Sequence, residues 1–156
     1  RPLEQGRVDI AALLSDAALD ASATYPSRTV TCDAPEHLFV VGDEARLRQV
    51  VNNLVQNALA HTPGDVSLRA NPEQGMGVLE ISDAGPGMNA DTLAHAFDRF
   101  WRADTSRARH AAGAGLGLPI AKAIVEAQRG RIMIDSAPER GTRVRVALPL
   151  SAEPTP

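Results

Sequence analysis

The sequence predicts a two-layer α/β sandwich of the α+β type, in which a mixed β-sheet is covered on one face by about three helices. Apolar residues recur at helical spacing in three segments, and short alternating or β-branched runs lie between and after them. The order is helix, strands, helix, strands, helix, strands, without the regular alternation of a doubly wound fold. At 156 residues, of which 44% are hydrophobic, the chain has the size of one domain with a single core.

The first half of the chain begins with a polar stretch over residues 1–7, which we interpret as a linker, and a short strand near residues 8–10. A helix over residues 10–21 follows, and residues 28–32 and 37–41 alternate like two paired strands. The single cysteine, Cys32, lies in the first of these strands, so we expect it to be buried and unreactive. Asp43 is suited to cap a long helix that runs to about Thr62.

The second half continues with strands over residues 66–70 and 78–82, joined by a turn at 71–75. A long segment over residues 84–116 contains a short helix near 90–97, and a further helix covers 116–128. Strands over 132–135 and 143–148, joined by a turn at 138–141, close the domain. The tail 151–156 is expected to be disordered.

The long helix carries an apolar stripe and a polar stripe side by side. The apolar stripe should pack on the sheet and consists of Leu47, Val50, Val51, Leu54, Val55 and Ala58. The polar stripe repeats every four residues, with Gln49, Asn53, Asn57 and His61. Asparagine is a poor residue for a helix interior, so two of them one turn apart need a reason. Either the amides face loops or solvent, or their oxygens hold Mg²⁺ beside substrate phosphates.

Two glycine-rich motifs follow the long helix. Asp83-Ala-Gly85-Pro-Gly87 comes after a predicted strand, where a carboxylate can accept a hydrogen bond from the exocyclic amine of adenine; an ordinary turn is the alternative. Gly113-Ala-Gly115-Leu-Gly117-Leu118 precedes a helix, and N–H groups at a helix start can bind phosphate. This second motif matches neither the dinucleotide-binding GxGxxG pattern nor a P-loop.

The segment between the two motifs contains Phe97-Asp-Arg-Phe-Trp-Arg102 and then Arg107 and Arg109. Three of the chain's five aromatic residues lie here. Because a loop of this length inside a compact domain usually has a function, we interpret it as a lid whose arginines reach bound phosphates. A solvated basic loop beside a small satellite core is the alternative.

Taken together, these motifs resemble those of the catalytic domain of sensor histidine kinases, a branch of the wider ATPase family that includes gyrase. Five boxes occur in that family's order: Asn53 to Asn57, Asp83-x-Gly85-x-Gly87, FDRFWR, GAGLGL and Gly141-Thr142. The resemblance covers nearly the whole chain, about residues 8–150. It implies a Bergerat-type ATP-binding fold over those residues, with ATP and Mg²⁺ as cofactors.

The resemblance also implies roles for individual residues. Asn57 would be the Mg²⁺ ligand, and Asn53 would touch the phosphates or the metal. Asp83 would bind the adenine amine, and Thr142 would share a water with it. The base and the phosphates would be surrounded by His61, Gly85, Gly87, Met88, Arg102, Arg107, Gly113, Gly115, Leu116, Gly117 and Leu118. The catalytic group would comprise Asn53, Asn57, Arg102 and Arg107.

Two positions distinguish this chain within the wider family. Asn53 stands where the ATP-hydrolysing relatives carry a glutamate that activates water, and an amide cannot act as a general base. This difference favours phosphoryl transfer over hydrolysis. Ala60 stands where many relatives have a basic residue that reaches the phosphates, which predicts weaker ATP affinity.

The phospho-accepting histidine of the family is not recognised in this sequence. None of His37, His61, His95 and His110 is followed by the acidic residue and Leu-Arg-Thr-Pro of that motif. We therefore expect the acceptor on a separate dimerisation domain, with a response regulator acting through it. The fragment would be a monomer, and the full kinase a homodimer in a membrane-anchored bacterial receptor whose cytoplasmic part includes this domain.

Other functions remain open from the sequence. An anti-sigma-type serine kinase shares most of the motifs, although the FDRFWR box and the arginines favour the histidine kinase. A non-catalytic nucleotide-sensing module is the second alternative, and Ala60 lends it some support. The net charge of −3 gives no general attraction to nucleic acid, so no nucleic acid partner is expected.

Overall fold

The computed structural model describes residues 2–98 and 117–152. Four helices occur in these ranges: α1 Ile10–Thr24, α2 Glu44–His61, α3 Ala90–Ala94, and α4, whose described helical residues are 117–127. The strands are β1 Gly6–Asp9, β2 Val30–Asp33, β3 Phe39–Gly42, β4 Val66–Glu73, β5 Met76–Asp83, β6 Arg131–Ser136 and β7 Thr142–Pro149.

The strands form two sheets. Five of them make a mixed sheet in the order β2-β4-β5-β7-β6, in which β2 runs parallel to β4 and every other pair is antiparallel. The other two, β1 and β3, form a small antiparallel sheet, and a bridge between Val40 and Leu150 connects it to the end of β7. The predicted mixed sheet is therefore confirmed.

The prediction that residues 28–32 and 37–41 pair with each other is wrong. The strand β2 pairs with β4, and the chain between them contains α2, as a parallel pair requires a crossover connection. The strand β3 pairs with β1. Next to this pairing, Leu38 accepts a hydrogen bond from the amide of Ile10 and donates its own amide to the side chain of Asp9. Alternation along each strand does not reveal which neighbour it pairs with.

Helices cover one face of the five-stranded sheet, as predicted. The core contains apolar residues of α1, α2 and α4 together with alternate residues of the central strands, such as Leu68, Ile81 and Val146. All six residues of the predicted apolar stripe of α2 are buried. The opposite face is polar, and there Arg143 pairs with both Asp135 and Glu80.

Both ends of α2 are capped by side chains. At its start the side chain of Asp43, only 2% exposed, accepts a hydrogen bond from the amide of Arg46 at 3.1 Å. At its end the guanidinium of Arg28 donates to the carbonyl oxygens of Leu59, Thr62 and Gly64. A cation there satisfies orphan carbonyls and complements the helix dipole. The cap by Asp43 was predicted, whereas that by Arg28 was not.

The two-stranded sheet carries a cluster at its surface. Asp9 caps α1 and accepts a hydrogen bond from Nδ1 of His37 at 2.8 Å. The His37 ring stacks on Phe39, and the guanidinium of Arg7 lies 3.6 Å from the centre of the Phe39 ring. Burial opposes the charged form of Asp9, but the bonds from His37 and from backbone amides outweigh it and lower its pKa. The bond to Asp9 raises the pKa of His37.

Several predicted boundaries change. Strand β1 begins at Gly6, inside the stretch interpreted as a linker, and α3 ends at Ala94. The turn expected over residues 71–75 shrinks to Gln74 and Gly75, both with positive φ. Pro72 is accommodated in β4 because β2 pairs with that strand only as far as Arg69, so no described strand lies on that side to need an N–H from Pro72. The tail beyond residue 152 lies outside the described residues.

Cys32 is exposed, which contradicts its predicted burial. It lies on β2, which in the described part of the chain is an edge strand with a neighbouring strand on one side only, so the alternation of its sequence neighbours does not ensure that it is buried. Partial desolvation and the adjacent Asp33 raise the pKa of its thiol, which disfavours the reactive thiolate.

Candidate functional site

One end of the five-stranded sheet brings predicted site residues together. Asp83 on β5 pairs in register with Val66 on β4 and with Thr142 on β7, and Thr142 pairs with Ser136 on β6. Paired residues of neighbouring strands point to the same face, and Val66 is fully buried under the helices. Asp83, Thr142 and Ser136 therefore form one row on the helix-covered side.

Ser136 is the centre of a hydrogen-bond network in this row, and the sequence reasoning missed it. Its Oγ accepts from the amide of Met88 at 2.9 Å, donates to the carbonyl oxygen of Gly141 at 2.8 Å and lies 2.9 Å from Thr142 Oγ1. One hydroxyl thus joins the loop after β5 to the start of β7. The predicted β6–β7 hairpin brings residue 136 near the start of β7, but the register that places Ser136 opposite Thr142 was not predicted.

Glycines are required where the loop after β5 meets the turn before β7. Gly87 and Gly141 have φ values of +71° and +73°. A Cβ on Gly87 would lie 1.9 Å from the carbonyl oxygen of Ala137, and one on Gly141 would lie 2.1 Å from that of Asp83. No side chain fits at either contact, so the two backbones touch.

The same loop also packs against the C-terminal end of α2. Oδ1 of Asp83 accepts a hydrogen bond from the amide of Gly85 at 2.9 Å. A Cβ on Gly85 would lie 2.8 Å from the carbonyl oxygen of His61. Asp83 is half-buried, and this contact sets it beside the last turn of α2, where half-buried His61 also lies.

The asparagine stripe of α2 faces the start of α4. Asn57 is 7% exposed, and its Nδ2 is buried without a hydrogen-bond partner in the described part of the chain. A Cβ on Gly117 would lie 3.4 Å from Asn57 Oδ1 and 3.8 Å from Asn53 Cβ. A buried donor without a partner is costly, so this –NH₂ group is suited to a ligand with acceptor oxygens, such as a phosphate, that enters between α2 and α4.

A second contact ties α4 to α2 at the opposite ends of the two helices. The side chain of Gln128, 1% exposed, accepts a hydrogen bond from the amide of Asp43 at 2.7 Å and donates to the carbonyl oxygen of Ile124 at 3.3 Å. Because Gln128 follows α4 and Asp43 precedes α2, the two helices run antiparallel. Gln128 was not predicted, since a glutamine after a helix carries no distinctive pattern.

The remaining predicted residues divide into two groups. Leu118 is 6% exposed and belongs to the core, so its backbone alone could approach a phosphate. Other candidates lie outside the described residues: Arg102, Arg107, Gly113, Gly115 and Leu116.

In the ranges 2–98 and 117–152, no three His, Cys, Asp or Glu side chains are grouped so that they could hold a metal ion. No helix in those ranges has the length and apolar character to span a membrane.

Comparison with protein families gives a match over most of the chain. The model of the family described as "Histidine kinase-, DNA gyrase B-, and HSP90-like ATPase" matches residues 42–152. The probable sensor histidine kinase TcrY of Mycobacterium tuberculosis (strain ATCC 25618 / H37Rv) is 44% identical over 153 residues, which cover 96% of this chain and 32% of that protein. The chain thus spans about a third of the length of this curated relative.

Solved structures of similar proteins share the fold. The ATP-binding domain of PrrB from Mycobacterium tuberculosis superposes with a TM-score of 0.77 at 27% identity, over 96% of this chain and 99% of that one. Full-length ShkA in complex with AMPPNP gives a TM-score of 0.83 at 28% identity, over 99% of this chain and 33% of that one.

Proposed function

We propose, because the chain belongs to the family of histidine kinase-, DNA gyrase B- and HSP90-like ATPases, that it is the ATP-binding catalytic domain of a two-component sensor histidine kinase. It binds Mg-ATP and donates the γ-phosphoryl group to a histidine on a separate helical domain. The observation that carries this proposal is the buried side chain of Asn57, which faces the start of α4 one helix turn from Asn53 and whose Nδ2 has no hydrogen-bond partner among the described residues.

The base would be held at the end of the sheet. Oδ1 of Asp83 already accepts a hydrogen bond from the amide of Gly85, and the carboxylate has further lone pairs that can accept one from the exocyclic amine of adenine. The close contact of the loops at Gly87 and Gly141 leaves no room for side chains that could obstruct a flat ring. The structure of ShkA with AMPPNP, an adenine nucleotide, supports this assignment by likeness.

The residues present fit a magnesium ion brought by the nucleotide. Mg²⁺ prefers oxygen ligands and is often held by one or two protein groups plus phosphates and water. The amide oxygen of Asn57 would be such a ligand, and the half-buried Asn53 would contact the phosphates. The bound ion would neutralise charge on the phosphates. Arg102 and Arg107, together with Gly113, Gly115 and Leu116, would close over them.

The side chains favour transfer over hydrolysis. Phosphoryl transfer depends mainly on positioning and charge neutralisation. Asn53 cannot remove a proton from water, so ATP would remain intact until a histidine attacks the γ-phosphorus. That histidine would belong to the dimerisation domain of a homodimeric, membrane-anchored kinase, which would pass the phosphoryl group on to a response regulator.

A titration with Mg-ATP tests the site. We expect Asp83→Asn and Asn57→Ala each to weaken binding about tenfold or more, as for hydrogen bonds that involve a charged group. Asn52→Ala is the matched control, because Asn52 is exposed on the same helix. The affinity of this variant for Mg-ATP should equal that of the wild type. Wild-type affinity in both site variants would rule out the assignment.

A labelling experiment tests the reaction. The chain is incubated with γ-labelled ATP and the dimerisation domain of its own kinase. We expect label on that domain that is lost in acid and stable in base, as a phosphohistidine is. Acid-stable label on a serine would instead indicate a serine kinase, and binding without any label would indicate a nucleotide-sensing module.

A further inference from the structure

We propose that Ser136 is a positioning residue that sets the base specificity of the site by fixing which way the Thr142 hydroxyl points. This inference rests on the proposed function, since it concerns how the Asp83 end of the sheet distinguishes one purine from another. None of the five sequence boxes includes Ser136. Its role follows from the hydrogen bonds around its hydroxyl.

The Ser136 hydroxyl makes three contacts, and counting the available hydrogens shows which group donates in each of them. A serine hydroxyl has one proton to donate and two lone pairs that accept. One lone pair of Ser136 Oγ accepts the amide of Met88, which can only donate. The carbonyl oxygen of Gly141, at 2.8 Å, can only accept, so the proton of Ser136 must point to it for that contact to be a hydrogen bond.

The contact with Thr142 then has one direction. With its proton on Gly141, Ser136 can only accept from Thr142 Oγ1 at 2.9 Å. The reverse arrangement would leave two oxygens, those of Ser136 and Gly141, 2.8 Å apart without a proton between them. It would make one hydrogen bond fewer in a region where Thr142 is only 8% exposed, so it is disfavoured.

The consequence is an edge of the site that only accepts. The Thr142 hydroxyl donates its hydrogen to Ser136, so towards a ligand or a bridging water it can only accept hydrogen bonds. The carboxylate of Asp83, its partner across the β5–β7 register, also only accepts. Such an edge favours a base that presents an amino group, as adenine does at C6, over hypoxanthine, which presents a carbonyl oxygen at C6.

Affinities for ATP and inosine triphosphate test this role. Ser136→Ala frees the Thr142 proton, which can then turn to the carbonyl of inosine, so we expect the preference for ATP to fall about three- to tenfold, the effect of one neutral hydrogen bond. Ser136→Thr keeps the hydroxyl and should retain the preference. Ser67→Ala, at a half-buried serine on the opposite face of the sheet, is the matched control.

The ratio of the two affinities separates the possible results. A purely structural role would weaken both nucleotides equally and leave the ratio unchanged, which would overturn the proposal. If Ser136→Ala does not fold, Ser136→Cys, with its weakly bonding thiol, takes its place and the same fall is expected. If the wild type binds ATP and the ratio of ATP affinity to inosine triphosphate affinity is unchanged in these variants, only the role of Ser136 is refuted. Wild-type chain that does not bind ATP would refute the proposed function as well.

Discussion

Single residues at the loop contacts determine whether the sheet end can form. Gly87 and Gly75 both have positive φ, at +71° and +79°, but their surroundings differ. A Cβ on Gly87 would overlap the carbonyl oxygen of Ala137, whereas one on Gly75 would meet nothing within 4 Å. The pair therefore separates the cost of backbone conformation from the cost of a steric clash.

We expect Gly75→Ala to lower the free energy of unfolding by about 1–2 kcal/mol, the cost of a left-handed conformation for an L-residue. Gly87→Ala should lose a further 1–3 kcal/mol or so because of the overlap, and should also weaken ATP binding. Urea unfolding and nucleotide titration measure both effects. Equal losses of stability in the two variants would show that the contact with Ala137 is unimportant.

Residue identity predicted some of the site and could not predict the rest. Asp83 and Thr142 were singled out from motifs, and the strand register places them opposite each other. Ser136 has no motif of its own, and its importance arises from three partners that only the fold brings together. Cys32 was misjudged because alternation describes the two faces of a strand and not its position at a sheet edge.

At the scale of elements, α2 and α4 act as one unit. They are joined at one end by Gln128 and Asp43, and they approach each other at the other end, where Gly117 faces Asn57. The position of the α4 start relative to the asparagine stripe thus depends on a contact at the far end of both helices.

Removal of that contact by Gln128→Ala should lower the free energy of unfolding by about 1–3 kcal/mol, because the buried amide of Asp43 loses its acceptor. Gln49→Ala, at an exposed glutamine of α2, should change stability by less than about 0.5 kcal/mol. Chemical denaturation measures both variants. A Gln128 variant as stable as the Gln49 control would contradict the role of Gln128.

Helices were predicted more accurately than strand pairings, and the reason is physical. The periodicity that identifies α2 is local, and its predicted apolar stripe is fully buried. Pairing is decided by distant contacts, so the parallel alignment of β2 with β4 and the bond from Ile10 to Leu38 could not be foreseen. The cap of α2 by Arg28, 31 residues from Leu59, is likewise a product of the fold.

Over the whole molecule, the small sheet attaches the N-terminal strand to the body. The Asp9–His37 pair lies at this junction, and each partner favours the charged form of the other. The pKa of His37 is raised by its bond to Asp9, and the pKa of Asp9 is lowered by His37 and backbone amides despite burial.

These shifts give the pair a pH window. The contribution of His37 is complete below its ordinary pKa of 6.5 and is lost as pH rises through the raised value. That of Asp9 is complete above its ordinary pKa of 3.8 and is lost as pH falls through the lowered value. The wild type should therefore exceed His37→Gln in stability most clearly between these two pH values, and urea unfolding across pH measures the difference. A difference that is constant up to pH 9 would contradict the ion pair.

The separation of the two sheets has a mechanical consequence. Among the described strands β1 pairs only with β3, through four register pairs, and the amide of Glu4 donates a hydrogen bond to Asp43 Oδ2 at 2.9 Å. Tension applied at the N-terminus would break these few hydrogen bonds one after another before it reached α1. The first segment to peel away would free Asp43 of one bond and leave every strand of the five-stranded sheet in place.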